Sequence, residues 1–263
     1  FFGNFVLHFP CEAFDAALDA GLPVVTFSWG IDAARVAWAH RAGAKVGIQI
    51  GSAPGARRAL DAGADFLIAQ GVEAGGHVQS TTPGGTLLPA VLAEAGNVPV
   101  IAAGGIASGA AIARAISAGA AGAMMGTRFV ATAEAASHDA YKAALVAASG
   151  SDTVFTNCFD IGWPHAMHRV LRNDTLTTWE AAGCPQPPHR PGEGDVVFRR
   201  GDEDFPRYCD TTPMPGAVGS LHSACLYAGM GVGDISSVEP AADLVARLGA
   251  ETVAALADIR GAP

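Results

Sequence analysis

Five times in the first 120 residues an Ala-Gly pair joins an alanine-rich stretch to a short apolar run: DAGLPVV at 19–25, RAGAKVG at 41–47, DAGADFL at 61–67, EAGNVPV at 94–100 and SAGAAGA at 117–123. Glycine is the residue of choice just past a helix C-terminus, where the chain must turn through a left-handed conformation. Short continuous apolar runs suit strands buried on both faces. The joint glycines stand at 21, 43, 63, 96 and 119, so the intervals are 22, 20, 33 and 23 residues. Each interval holds one helix and one strand. The pattern predicts six strands, with cores at Asn4–Phe9, Val24–Phe27, Val46–Ile50, Phe66–Ala69, Val100–Ala103 and Ala123–Met125.

Alternation of this kind makes a parallel α/β sheet, either a (β/α)8 TIM-type barrel or an open doubly wound sheet. The barrel is favoured. Eight strands close one, and this sequence opens directly on a strand, so the expectation is a barrel that lacks its first two βα units. Residues 1–150 are then the barrel core, strands three to eight. The stretch 151–219 is rich in Pro, Gly and Trp and is expected to form an irregular cap. Residues 220–263 are expected to supply C-terminal helices packing on the barrel, at about Ser220–Tyr227 and Ala241–Leu256.

Half of the 263 residues are hydrophobic and 16% are charged, a composition that buries a core. A formal net charge of −9 argues against nucleic acid or an anionic membrane surface as a main partner. It leaves room for a phosphate ligand held by main-chain amides. The five cysteines are odd in number and widely spaced, with no CxxC. They are read as reduced thiols of a cytoplasmic protein, with no metal framework. No apolar run is long enough to span a bilayer.

In α/β folds ligands bind beyond the C-terminal ends of the strands. Three of those ends are glycine-rich. Gly104 and Gly105 would let amides approach an anion, and the following helix, with Ser108 as its N-cap, would aim its positive end there. Gly126 and Thr127 would add amides and a hydroxyl. Tight βα turns alone would also use these glycines. The third loop, GVEAGGHVQS at 71–80, lies in the enlarged 33-residue interval. Gly75 and Gly76 would let the main chain pass close to a flat ligand, leaving His77 beside it. Imidazole titrates near neutrality, so His77 is the candidate proton donor or acceptor. Glu73 would either orient His77 or serve as a loop salt-bridge partner. The other seven histidines are given no role.

AQGVEAGGH at 69–77, PVIAAGGIASG at 99–109 and GAMMGTRF at 122–129 together resemble the nitronate monooxygenase family, once called 2-nitropropane dioxygenases. FSWG at 27–30, GWPHAMHRVLRN at 162–173 and YAGMGVG at 227–233 extend the resemblance over most of the chain, in the family's order. The resemblance implies an FMN-dependent TIM-barrel enzyme that oxidises alkyl nitronates with molecular oxygen. It implies that the FMN phosphate is held at Gly104–Gly105 and Gly126–Thr127. The flavin would lie near Gln49, Gln70 and the main chain of Ala74, Gly75 and Gly76. His77 matches the family's catalytic histidine. The partners implied are a small anionic substrate and oxygen, with a homodimer as the candidate assembly. FMN-dependent enoyl-ACP reductases and NADH:quinone reductases share the same loop and turns, so reduction of a quinone or an enoyl thioester is the alternative. A phosphate-binding or truncated barrel without catalysis is the third. Two departures stand out. The family's first strand ends in an Ala-Pro-Met-type turn that is not found here, and Met230 replaces a common glutamine.

Overall fold

A computed structural model describes residues 2–261. In chain order its elements are β1 (Gly3–Val6), α1 (Phe14–Asp19), β2 (Val24–Ser28), α2 (Ala33–Arg41), β3 (Lys45–Ile50), α3 (Ala53–Asp61), β4 (Phe66–Gln70), β5 (Gly76–His77), α4 (Gly84–Ala95), β6 (Val100–Ala103), α5 (Gly109–Ser117), β7 (Gly122–Met124), α6 (Thr127–Val130) and α7 (Asp139–Ala147). Then follow β8 (Thr153–Thr156), β9 (His168–Leu171), α8 (Asp174–Ala181), β10 (Val196–Arg200), β11 (Glu203–Pro206), β12 (Ala217–Gly219) and α9 (Ala241–Gly261). By contact the chain forms two compact units. One holds the residues up to Val72 together with Gln79–Gly104 and Ile112–Met124; the other holds Glu73–Val78, Gly105–Ala111 and the chain from Met125 onward.

Unit one is built on a six-stranded parallel sheet in the order β1-β2-β3-β4-β6-β7. Each new strand joins beside its predecessor, and the order never reverses. A doubly wound sheet must reverse at its switch point; a barrel never does. The sheet is therefore of the (β/α)8-barrel type, the one favoured of the two expected from the sequence. All five joint glycines have positive φ, between +57° and +104°. Consecutive residues Val46, Gly47 and Ile48 are buried, so both faces of β3 are covered, as the unbroken apolar runs required. Helix starts are fixed locally. Asp32 accepts from the Ala34 and Arg35 amides at the head of α2, and Ser52 Oγ accepts from Gly55 in α3.

Unit two contains two small antiparallel sheets, β5-β9-β8 and β11-β10-β12. The stretch 151–219 thus carries five short strands and α8 among its loops. At three to five residues each, strands this short leave no readable alternation. A core of this unit joins Cys158, Phe159, Val170, Leu176, Trp179, Tyr208 and Cys225. Arg190 is buried against it, paired with Asp160 and Glu193 and stacked over Tyr208 at 4.3 Å.

The helix expected at Ser220–Tyr227 is corrected. Only a 3-10 turn, Leu221–Ser223, forms there. The carbonyls that a helix would use internally are taken by neighbours: Ser223 O by Thr175 Oγ1 at 2.8 Å, Ala224 O by Asn173 Nδ2 at 2.8 Å, and Leu226 O by the Leu171 amide at 2.8 Å. The last helix does form, over Ala241–Gly261. Among the described residues no helix is long and apolar enough to cross a membrane.

Candidate active site

The GGH stretch forms β5, a two-residue strand pinned to β9. Gly76 stands opposite Arg169 and His77 opposite His168, and the Val78 amide donates to Met167 O at 2.9 Å. This pairing fixes the direction of the His77 ring. Its centroid lies 4.4 Å from that of Trp163, 5.5 Å from His168 and 5.5 Å from Tyr227. His77 therefore sits in an aromatic enclosure. Burial, and secondarily the charge of a protonated His168, push its pKa down to about 4. The expectation that His77 titrates near neutrality is corrected: it is a neutral imidazole there, with one N–H to donate and one ring nitrogen to accept.

His168, given no role from the sequence, lies beside His77. It is fully buried, with Nδ1 2.9 Å from Ala166 O and Nε2 accepting the Phe159 amide at 3.2 Å. A carbonyl at Nδ1 and an N–H at Nε2 select the Nδ1–H tautomer, and a further proton would face the Phe159 donor. Burial accordingly holds this pKa down, against a smaller opposing pull from its bond to Ala166. Trp163, His168 and Tyr227 all lie in stretches that stand out in the sequence, GWPHAMHRVLRN and YAGMGVG. Nothing local marks them as neighbours of His77.

The glycines divide into two kinds. A Cβ on Gly75 would stand 2.4 Å from Gly229 N, 2.6 Å from Ala228 C and 2.9 Å from Thr127 Oγ1. Gly75 is bare because another stretch of main chain crosses it. Gly105 (φ +69°) is similar, since its Cβ would meet Glu73 Cβ at 2.8 Å. The crossing stretch is the YAGMGVG segment: the Met230 amide donates to Glu73 O at 2.9 Å, and the Gly229 amide to Thr127 Oγ1 at 3.0 Å. Gly76 and Gly126 differ, because a Cβ on either would meet nothing within 4 Å. Ala74 is buried beside this crossing.

The Ser108 expectation is also corrected. Ser108 Oγ donates to Asp234 Oδ2 at 2.8 Å, and the first amide of α5, Gly109, goes to Glu251 Oε2 at 3.1 Å. A carboxylate from α9 thus occupies the end of α5 that an anion would have used. Glu73 acts as a countercharge to the buried Arg169, offsetting part of the cost of burying that guanidinium. Arg128, in the GTRF turn, is almost wholly buried; it donates to Ser237 O at 3.2 Å and pairs with Glu239.

In unit one, Gln49 and Gln70 stand at the ends of β3 and β4. Gln49 Nε2 donates to Gln79 Oε1 at 2.9 Å, and Gln70 Oε1 accepts the Gln79 amide at 3.1 Å. Gly104, immediately after β6, has φ +102°.

The sequence profile of the nitronate monooxygenase family matches residues 11–251. A (3aS,4S,5R,7aS)-5-hydroxy-7a-methyl-1-oxo-octahydro-1H-indene-4-carboxyl-CoA dehydrogenase of Mycobacterium tuberculosis is 42% identical over 165 residues, which is 61% of this chain and 44% of that protein. A nitronate monooxygenase of Paraburkholderia phytofirmans is 30% identical over 245 residues, 90% of this chain and 63% of that protein. The structure of FabK from Thermotoga maritima aligns with a TM-score of 0.82 at 29% identity, covering 99% of this chain and 78% of that one. The chain spans about half the length of the curated relatives it matches. Strand order, loop residues and the profile match point the same way, and the chain belongs to the nitronate monooxygenase family.

Proposed function

We propose that this protein is an FMN-dependent oxidoreductase that oxidises small alkyl nitronates with molecular oxygen. The observation that carries the reading is His77: a neutral imidazole, walled by Trp163, His168 and Tyr227, next to the bare main chain of Gly76. The residues fit a flavin mononucleotide. Gly76 and Gly126 both present main chain to open space, where a Cβ would meet nothing within 4 Å. Thr127 Oγ1 already accepts the Gly229 amide, so its own hydroxyl hydrogen is left to donate to an anion. Gln49, Gln70, Ala74, Gly75, Gly104 and Gly105 complete the proposed cofactor set. Gly75 and Gly105 also serve the chain's own packing.

Bound FMN supplies the electron acceptor for the oxidation. The chain's residues bind and orient the substrate. A base whose conjugate acid has a pKa of about 4 is poorly matched to removing a proton from a neutral nitroalkane at pH 7. A neutral N–H beside these rings is well matched to donating to the oxygen of a nitronate, which has already lost that proton. The reading therefore gives His77 the role of orienting an anion. The cytoplasm and a homodimer are the proposed setting and assembly.

A second reading has a specific observation in its favour, the 42% identity to a carboxyl-CoA dehydrogenase. In it the reactants are NADH and a quinone, or a thioester. Anaerobic mixing separates the two. Bleaching of the flavin band by propyl nitronate and not by NADH supports nitronate oxidation; the reverse supports the second reading. A colourless folded protein that takes up no FMN removes both.

A further inference from the structure

Three rings stand around His77, and their separations decide what can reach it. Its centroid lies 4.4 Å from that of Trp163 and 5.5 Å from those of His168 and Tyr227. A layer of substrate atoms slipped between two rings needs about 7 Å, twice the ~3.5 Å contact distance. No substrate atom therefore fits between His77 and any of the three. A substrate that reaches the imidazole comes in past the edges of these rings, and its bulk is set against them.

The three walls are not equivalent. His168 meets His77 edge-on, at 73°, and Tyr227 is tilted by 55°. Trp163, at 36°, lies most nearly flat over the imidazole, and its indole is the largest of the three side chains. It is buried although Pro164 and His165, the next two residues, are exposed. The indole is thus turned inward from a surface turn.

The turn is fastened on both sides of it. The Ile161 amide donates to Tyr208 O and the Ile161 carbonyl accepts the Asp210 amide, both at 3.1 Å. A Cβ on Gly162 (φ +110°) would stand 2.5 Å from Asp210 Oδ1, so only a bare residue lets that carboxylate lie against the turn. On the other side the Ala166 amide donates to Trp163 O at 3.3 Å, and Ala166 O is bonded to His168 Nδ1 at 2.9 Å. A buried ring on a turn anchored twice is a fixed wall. A fixed wall discriminates by clash against whatever is too large to stand beside it.

We propose that Trp163 is the specificity-determining residue of the His77 site: its indole admits short, unbranched anions and excludes aryl ones. The proposal rests on the nitronate reading and narrows its substrate class to short primary alkyl nitronates. It concerns room beside His77, so binding reads it without turnover.

The test is calorimetric titration of the full chain with butyrate and, separately, with benzoate, using wild type, Trp163→Ala and Trp163→Phe. A carboxylate shares the planar, two-oxygen anion of a nitronate and is not turned over. Flavin content and thermal melting are recorded on the same samples. Wild type should bind butyrate about tenfold or more tighter than benzoate. Trp163→Ala should remove that preference by tightening benzoate about tenfold, with butyrate little changed. Trp163→Phe, which keeps a smaller ring in place, should fall between, and it decides the matter if the alanine variant does not fold. Turnover should follow binding: relative to propyl nitronate, the nitronate of phenylnitromethane should gain about tenfold in kcat/KM in Trp163→Ala, mostly through KM. No binding of either carboxylate to folded wild type overturns the proposal. So does a preference that is the same in wild type and the folded variants. Size selection that depends on Trp163, without turnover of any nitronate, counts against the nitronate reading and leaves the wall; nitronate turnover with no size selection does the reverse.

Discussion

Gly75 and Gly229 meet through main chain alone, and a Cβ on Gly75 would stand 2.4 Å from the Gly229 nitrogen. The neighbouring Gly76 has open space at the same place but a φ of +77°. The two glycines of one motif therefore do different work, and substitution separates them. Gly75→Ala must displace backbone and should destabilise by about 3 kcal/mol or more. Gly76→Ala should cost only the left-handed strain, about 1–2 kcal/mol. Urea denaturation of both variants checks the order; a Gly75→Ala protein as stable as Gly76→Ala would show that the crossing with Ala228–Gly229 is not formed.

The enclosure of His77 makes a pH prediction. Its folded pKa lies near 4, below the ordinary 6.5, so the fold favours the neutral form. Between those values the unfolded chain binds a proton that the folded chain refuses. Stability from this group is then complete above about pH 6.5 and is lost as pH falls toward 4. Carboxylates titrate in the lower part of the same window, so the comparison is with His77→Asn, which should lose less stability between pH 6.5 and 4. An unchanged slope, or an imidazole NMR titration centred near 6.5, would mean that the ring is solvated.

Orientation and proton transfer by His77 predict different rescue patterns. If the ring orients a nitronate through its N–H, His77→Ala should keep its flavin and lose about 10²–10³-fold in kcat, the usual cost of one donor to a developing or fixed anion. His77→Gln, which restores a neutral donor, should recover a large part of that loss. A glutamine variant as inactive as alanine, at every pH, points to proton transfer instead.

Much of the sheet was legible because its rules are local. A glycine after a helix and a run of valine and isoleucine declare themselves within seven residues, and all five joint glycines have positive φ. The approximate positions of the six strands followed. The surroundings of His77 were not legible, since His168 and Tyr227 come to it from 91 and 150 residues downstream. The same holds for Glu251, which reaches the first amide of α5 across 142 residues and displaces Ser108 from the role its position suggested. The glycines of the motifs misled in one respect. Bare main chain signals a close approach, but not whether a ligand or the chain itself makes it, and at Gly75 and Gly105 the chain does.

That ambiguity decides where the cofactor proposal should be tested. Gly105 is a poor probe, because a side chain there meets Glu73 at 2.8 Å and any loss of flavin could follow from misfolding. Gly126 is a better one. Its φ of −103° is open to any residue, and a Cβ would meet nothing within 4 Å. Gly126→Val should fold with a melting temperature close to wild type, because no contact is broken and no left-handed backbone is strained. If the amides and hydroxyl at 126–127 hold the FMN phosphate, the branched side chain occupies the space the phosphate needs, and the variant should purify with little bound flavin. Flavin content by absorbance, set beside the melting temperature, reads both at once. A Gly126→Val protein that is stable and fully flavinated would place the phosphate elsewhere, and with it the reason for the open face of this turn.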